Sequence, residues 1–153
     1  MTYNIFISYS TKDLQTAKWL EQSLLQIKGA KVFLAHSNFI AGSLSDALIN
    51  KIKQCNLFIV LYSKEAHASS YVQQEIGVAK GNNKIIIPVV IEPDVKPGAM
   101  LEGINYVKLY DPEPDQLQRL FDYVIQNSQE SVTDNQTKLA LGLLFLYLIS
   151  KNR

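Results

Sequence analysis

Cysteine is nearly absent from the 153 residues: the single Cys55 excludes an intramolecular disulfide and any cysteine-built metal cluster, and suits a reducing compartment. Its place on the apolar side of a helical pattern makes it a packing residue rather than a reactive thiol. Histidine is scarce as well. His36 and His67 stand in separate loops with no carboxylate at ligand spacing, so no metal site is expected. Net charge is also missing, since 15 Lys and Arg face 14 Asp and Glu. Without a strong field the chain has no electrostatic means of recruiting nucleic acid or an acidic membrane. Partners have to be chosen by shape and local chemistry.

Several ligand motifs are lacking too. No GxGxxG follows the first apolar segment and no GxxxxGK[ST] occurs, which sets aside the usual dinucleotide and phosphate-chain cradles. A phosphoacceptor of the response-regulator kind needs an Asp after the third apolar segment, where this chain has Ser63. There is no nucleophile elbow. No basic segment followed by an apolar run opens the sequence, so no secretory signal is expected and a cytoplasmic location is. The apolar run at 139–149 is short of the roughly 20 residues that cross a bilayer.

What is present is an apolar content of 47% with 19% charged residues, the balance of a globular chain long enough for one domain and a tail. Short apolar runs at 3–8, 31–34, 57–62 and 84–91, with a weaker one at 106–109, predict five strands. Between them the apolar spacing is helical. Ala17, Leu20, Leu24 and Ile27 form one stripe behind a capping pair, Ser10 and Asp13, and Gly29 stops that helix. Leu44, Leu48, Ile52 and Cys55 form a second, which Ser43 with Asp46 is placed to cap. Leu117, Leu120, Phe121 and Val124 form a last one over 115–126. Pro88 cannot donate to a ladder, so it belongs near a strand end or where one side of the backbone is unpaired. Alternating strands and helices predict a flavodoxin-like doubly wound parallel sheet of about five strands, with helices on both faces.

The stretch at 57–75 organises the rest. A strand apolar on both faces runs into a polar turn and then a helix, on which Tyr71 and Glu75 stand four apart and share a face. An aromatic ring and a carboxylate near the carboxyl edge of a parallel sheet suit a small ligand. They also suit an ordinary solvated helix face, and from these residues alone both readings stand.

Four segments occur in fixed order: FISYSTKD at 6–13, VFLAH at 32–36 leading to Ala41-Gly42, LFIVLYS at 57–63 and SYVQQE at 70–75. Together they resemble the TIR domain family over 1–126, leaving a polar linker at 127–138 and a short apolar tail at 139–153 outside it. The family contains scaffolds and enzymes. The enzymes cleave the nicotinamide glycosidic bond of NAD+ with a glutamate on the helix after the third strand, a position matched by Glu75.

By the same resemblance Tyr71, Tyr9, Ser10, His36, Ser43, Leu44 and Asp46 would line the substrate cleft. The loop at 35–43, with Phe39, Ile40, Ala41 and Gly42 at its tip, is similar to the family's BB loop, which gates the cleft and docks neighbouring subunits. Ala35 and Asn38 depart from the axonal enzyme, which has an acidic residue and a lysine there. The wording VFLAH is most like bacterial NAD+-cleaving TIR proteins of antiphage defence. The resemblance therefore implies an NAD+ nucleosidase or ADP-ribose cyclase, assembled as a homo-oligomer and using NAD+ as substrate without a further cofactor. The alternative is a non-catalytic adaptor acting by TIR–TIR contact. The apolar tail at 139–149 is expected to lie against another subunit or in a membrane interface.

Overall fold

Strand β1 (Tyr3–Ser8) is apolar nearly throughout and has β2 (Ala30–Leu34) on one side and β3 (Leu57–Tyr62) on the other. Beyond β3 come β4 (Ile86–Val90) and the two-residue β5 (Val107–Lys108), giving the order β2-β1-β3-β4-β5 with every pair parallel. This is the computed structural model of the chain, which describes residues 2–35, 44–110, 114–128, 142–143 and 146–147. All six residues of β3 are buried, as a central strand covered on both faces requires. The expected flavodoxin-like sheet is therefore the observed one.

Parallel neighbours need crossovers, and right-handed crossovers decide which face each helix covers. α1 (Leu14–Leu25) carries the chain from β1 outward to β2, whereas α2 (Asp46–Gln54) carries it back across β1 to β3 and so lies on the opposite face. α4 (Ser70–Gly81) leads from β3 to β4 in the same direction and packs beside α2. The side chains of β1 divide accordingly. The even positions share the α4 side: Ser8 reaches a residue of α4, and Phe6, two residues before it, stacks on Phe33 and Phe58, its register partners, at centroid distances of 5.4 and 5.3 Å. Truncating Phe6, which is fully buried in this row, is expected to cost about 3–5 kcal/mol.

Two of the three helical stripes hold; of the other, Leu44 and Cys55 fall outside α2 and Leu44 and Leu48 are only half-buried. Ala17, Leu20, Leu24 and Ile27 are buried, as are Leu117, Leu120, Phe121 and Val124 on α5 (Pro114–Asn127). Gly29 takes the left-handed conformation, φ 88°, in the turn before β2. Pro88 sits inside β4, where its nitrogen costs nothing. Ile91 N–H and the Ile85 carbonyl both bond to β3, so odd positions of β4 face β3 and Pro88 faces β5. β5 pairs only with Val89 and Val90, which leaves that side of Pro88 without a ladder partner to lose.

Three local expectations are corrected. Ser10 caps a short 3-10 turn, Thr11–Asp13, by accepting from Lys12 N–H at 3.4 Å, and the Asp13 side chain turns elsewhere instead of completing a capping box. Ser45, not Ser43, caps α2, accepting from Leu48 N–H at 3.2 Å; Ser43 lies outside the described residues. The small-residue stretch after Ser63 is not a plain turn but a five-residue helix, α3 (Lys64–Ala68). Cys55 is buried, as its spacing predicted, and burial pushes its thiol up to about 11.

Two short helical pieces of the tail, 142–143 and 146–147, are described. Tyr147 is buried on the chain's own α1, its ring stacked on Trp19 at 5.3 Å and its hydroxyl 2.8 Å from that of Thr16. Leu146 beside it is 66% exposed. Among the described residues no helix is long and apolar enough to cross a membrane.

Candidate active site

α4 is set by Ser69, whose hydroxyl accepts from Val72 N–H, and α3 before it turns the chain so that Val72, Glu75, Ile76 and Ala79 face inward. Those are positions i, i+3, i+4 and i+7 of one stripe. Glu75 is thus a member of the buried face, 3% exposed, and of the two readings left open for this helix the solvated one is wrong for Glu75.

Its surroundings are specific. The Ser8 hydroxyl, fully buried at the end of β1, donates to Glu75 Oε1 at 2.9 Å. Glu75 Oε2 is buried and has no hydrogen-bond partner among the described residues. Burial pushes the carboxyl up to about 7, against the downward pull of the Ser8 hydrogen bond. Tyr9, the next residue, is also buried, and its phenol is raised by burial first and then by the charges of Glu75 and Glu21. The phenol and the carboxylate therefore share one electrostatic environment.

A second pair braces the same edge. Ser63, which ends β3, donates to Asp13 Oδ2 at 2.6 Å and accepts from Ala66 N–H at 3.0 Å, capping α3. The turn that follows Tyr9 and Ser10 is tied in this way to the strand beneath α4. Sequence reasoning assigned neither Ser8 nor Ser63 to the site. The signal for both was a serine ending an uninterrupted buried strand, a place where a hydroxyl must find a partner.

Tyr71 lies half-buried on the first turn of α4, one turn before Glu75. Ser10 is half-buried in its capping role. Leu44 is half-buried and Asp46 is exposed at the first turn of α2, the helix that packs beside α4. His36, Ser43 and the loop tip Phe39 to Gly42 lie outside the described residues. A cavity of about 860 Å³ opens at the far edge, between β4, β5 and α5, with Lys96, Tyr106, Arg119 and Tyr123 in its walls. Among the described residues no carboxylate lines it, so it is not the place of Glu75. Among the described residues no cluster of three or more potential metal ligands occurs.

Comparison with known proteins bears on this arrangement directly. A family model for the TIR domain matches residues 5–121, which includes Ser8, Asp13, Ser63 and Glu75. The chain belongs to the TIR domain family. This TIR domain is 25% identical over 138 residues to the NAD(+) hydrolase sarm1 of Drosophila melanogaster, a match covering 77% of the chain and 10% of that relative. The chain thus spans about a tenth of the length of the curated relative it matches. Among solved structures, the TIR domain of the Toll-related receptor TRR-2 of Hydra magnipapillata superposes with a TM-score of 0.65 at 20% identity. That match covers 80% of this chain and 98% of that one, and it shows the fold. The CMP N-glycosidase BcmB of Clostridium botulinum superposes with a TM-score of 0.51 at 25% identity, covering 76% and 97%.

Proposed function

We propose that this TIR domain cleaves the N-glycosidic bond between nicotinamide and ribose in NAD+. The observation that carries the reading is Glu75: a carboxylate at the carboxyl edge of the sheet, 3% exposed, with one oxygen held by Ser8 and the other without a partner among the described residues. A scaffold gains nothing from a buried ionisable group left half-satisfied, because its desolvation is uncompensated. A glycosidase does. As the C1′–N bond breaks, nicotinamide leaves with the bonding pair as a neutral pyridine and the ribose becomes oxocarbenium-like. A fixed, desolvated carboxylate stabilises that developing charge.

No general acid is required for a leaving group that departs neutral. Water then adds its oxygen to C1′ and releases a proton, giving ADP-ribose; attack by the substrate's own adenine instead gives a cyclic product. Tyr71, on the same helix face as Glu75, is positioned to stack on a flat ring, a contact of about 1 kcal/mol. The relative named as an NAD(+) hydrolase and the nucleotide N-glycosidase both support N-glycoside chemistry on this fold. Assembly into a homo-oligomer through the loop around Phe39 to Gly42 belongs to the same proposal. On the wording of 32–36 we also assign the activity to antiphage defence.

The test is to incubate the pure protein with NAD+, and separately with CMP, over a range of protein concentrations and to identify the products by mass. Nicotinamide with ADP-ribose or its cyclic isomer supports the reading. Release of cytosine from CMP alone moves the activity to a nucleotide with an uncharged base. An assembled protein inert towards both substrates leaves the adaptor role.

A further inference from the structure

Glu75 lies in its site without a counter-charge. Its Oε1 accepts from Ser8, its Oε2 accepts from nothing among the described residues, and no described Lys, Arg or His contributes to its titration from β3, α2 or α3. From β1 the facing groups are the Ser8 hydroxyl and the Tyr9 phenol, which is itself raised and so neutral. On its own helix Lys80 points away, to the Met100 carbonyl. Such a site is comfortable in two states only: with a proton on Oε2, or with a cation beside it.

We propose that the empty site keeps a proton on Glu75 Oε2, and that a substrate whose base carries a permanent positive charge displaces this proton into solvent as it binds. The proposal rests on the reading of the site as an NAD+-cleaving one and adds its selectivity. A pyridinium nucleotide restores the charge that the buried carboxylate lacks, so it binds the ionised site. Its reduced counterpart has the same ribose and phosphates but an uncharged ring, and it offers Oε2 only a neutral hydrogen bond, the weaker stabiliser of a desolvated anion. The site thus distinguishes oxidised from reduced dinucleotide by the proton it must give up. It also arms itself: the carboxylate the transition state needs is created by the substrate that needs it. Burial, which pushes the carboxyl up to about 7, makes the exchange visible near neutral pH.

The experiment is calorimetric titration with the carbocyclic analogue of NAD+, whose pyridinium keeps its charge and whose bond to the ring carbon resists cleavage. It is run at pH 6 and pH 8.5 in buffers of different ionisation heat, with NADH alongside. The expected result is release of about one proton per site at pH 6 and about none at pH 8.5, with apparent affinity weakening about tenfold per pH unit below 7. NADH is expected to release less than half as much at pH 6. Glu75→Gln should bind the analogue with no proton release. Release that persists in Glu75→Gln puts the proton on another group and overturns the proposal. So does equal release with NADH. A protein that cleaves NAD+ yet binds the analogue without releasing a proton at pH 6 overturns the proposal and leaves the function standing. One that neither binds the analogue nor cleaves NAD+ overturns both.

Discussion

Ser63 donates a 2.6 Å hydrogen bond to the carboxylate of Asp13, fifty positions away in sequence, and so joins the turn after Tyr9 and Ser10 to the end of β3. The same hydroxyl caps α3. Replacing it removes a charge-assisted bond and a helix cap together, so Ser63→Ala is expected to lower unfolding stability by about 2–3 kcal/mol in urea. Asp13→Asn keeps a weaker acceptor and should cost about 1 kcal/mol. A Ser63→Ala protein within 0.5 kcal/mol of wild type, on the order expected for an ordinary surface change, would show that the bond does not hold the turn.

The titration of Glu75 predicts a stability profile of unusual sign. Its carboxyl is raised in the folded state, from the ordinary 4.5 to about 7, so the folded chain holds a proton that the unfolded chain has lost over that interval. Stability is full below 4.5, falls as pH rises between the two values, and is level above about 7, with a total change on the order of 3 kcal/mol. Glu75→Gln removes the slope. Its unfolding free energy at pH 8 is therefore expected to exceed that of wild type by about 2 kcal/mol, while the two agree at pH 5. Urea denaturation at both pH values checks this, and a variant less stable than wild type at pH 8 would contradict the uncompensated burial.

Much of the fold was legible because its signals are local and redundant. Unbroken apolar residues marked β3, the i, i+3, i+4 spacing marked α1 and α5, and the order of segments left a parallel sheet as the simple solution. Even Pro88 was constrained correctly, since a missing donor limits the side it can face. The site was legible in part. Glu75 and Tyr9 were named from the family resemblance, yet the burial of Glu75 was missed because a charged residue on an apolar stripe is read as solvated unless its partner is known. That partner, Ser8, stands 67 positions earlier and meets it only once β1 and α4 are packed. Asp13 misled for the opposite reason. Its spacing from Ser10 satisfies a local capping rule, while a non-local hydroxyl, Ser63, takes its carboxylate.

The tail contact makes a separate prediction. Tyr147 adds to α1 a ring stacked on Trp19 and a hydroxyl beside that of Thr16. Tyr147→Ala is expected to cost about 2 kcal/mol from the lost aromatic contact and hydrogen bond. A chain ended after Ser128 should still fold, with a similar loss of stability. Failure of that shorter chain to fold as a monomer would place the domain boundary beyond 128.

If assembly completes the site, activity per subunit must rise with protein concentration. Ile40→Asp is expected to shift that rise to higher concentration, because a charge placed in an apolar contact is costly to desolvate. Turnover per subunit that stays constant over a wide dilution series of active wild-type protein would remove assembly from the account.

The central claim is that the charge of Glu75 stabilises the transition state of NAD+ cleavage. Glu75→Gln keeps the size of the side chain and an acceptor for Ser8 while removing the charge. Loss of one such stabiliser costs about 3 kcal/mol, on the order of a hundredfold in rate. The measurement is a progress curve of NAD+ consumption at pH 8, with wild type and Glu75→Gln at matched oligomeric state. A fall of about a hundredfold or more, in a variant at least as stable as wild type, is the predicted result. Cleavage by Glu75→Gln at the wild-type rate would contradict it.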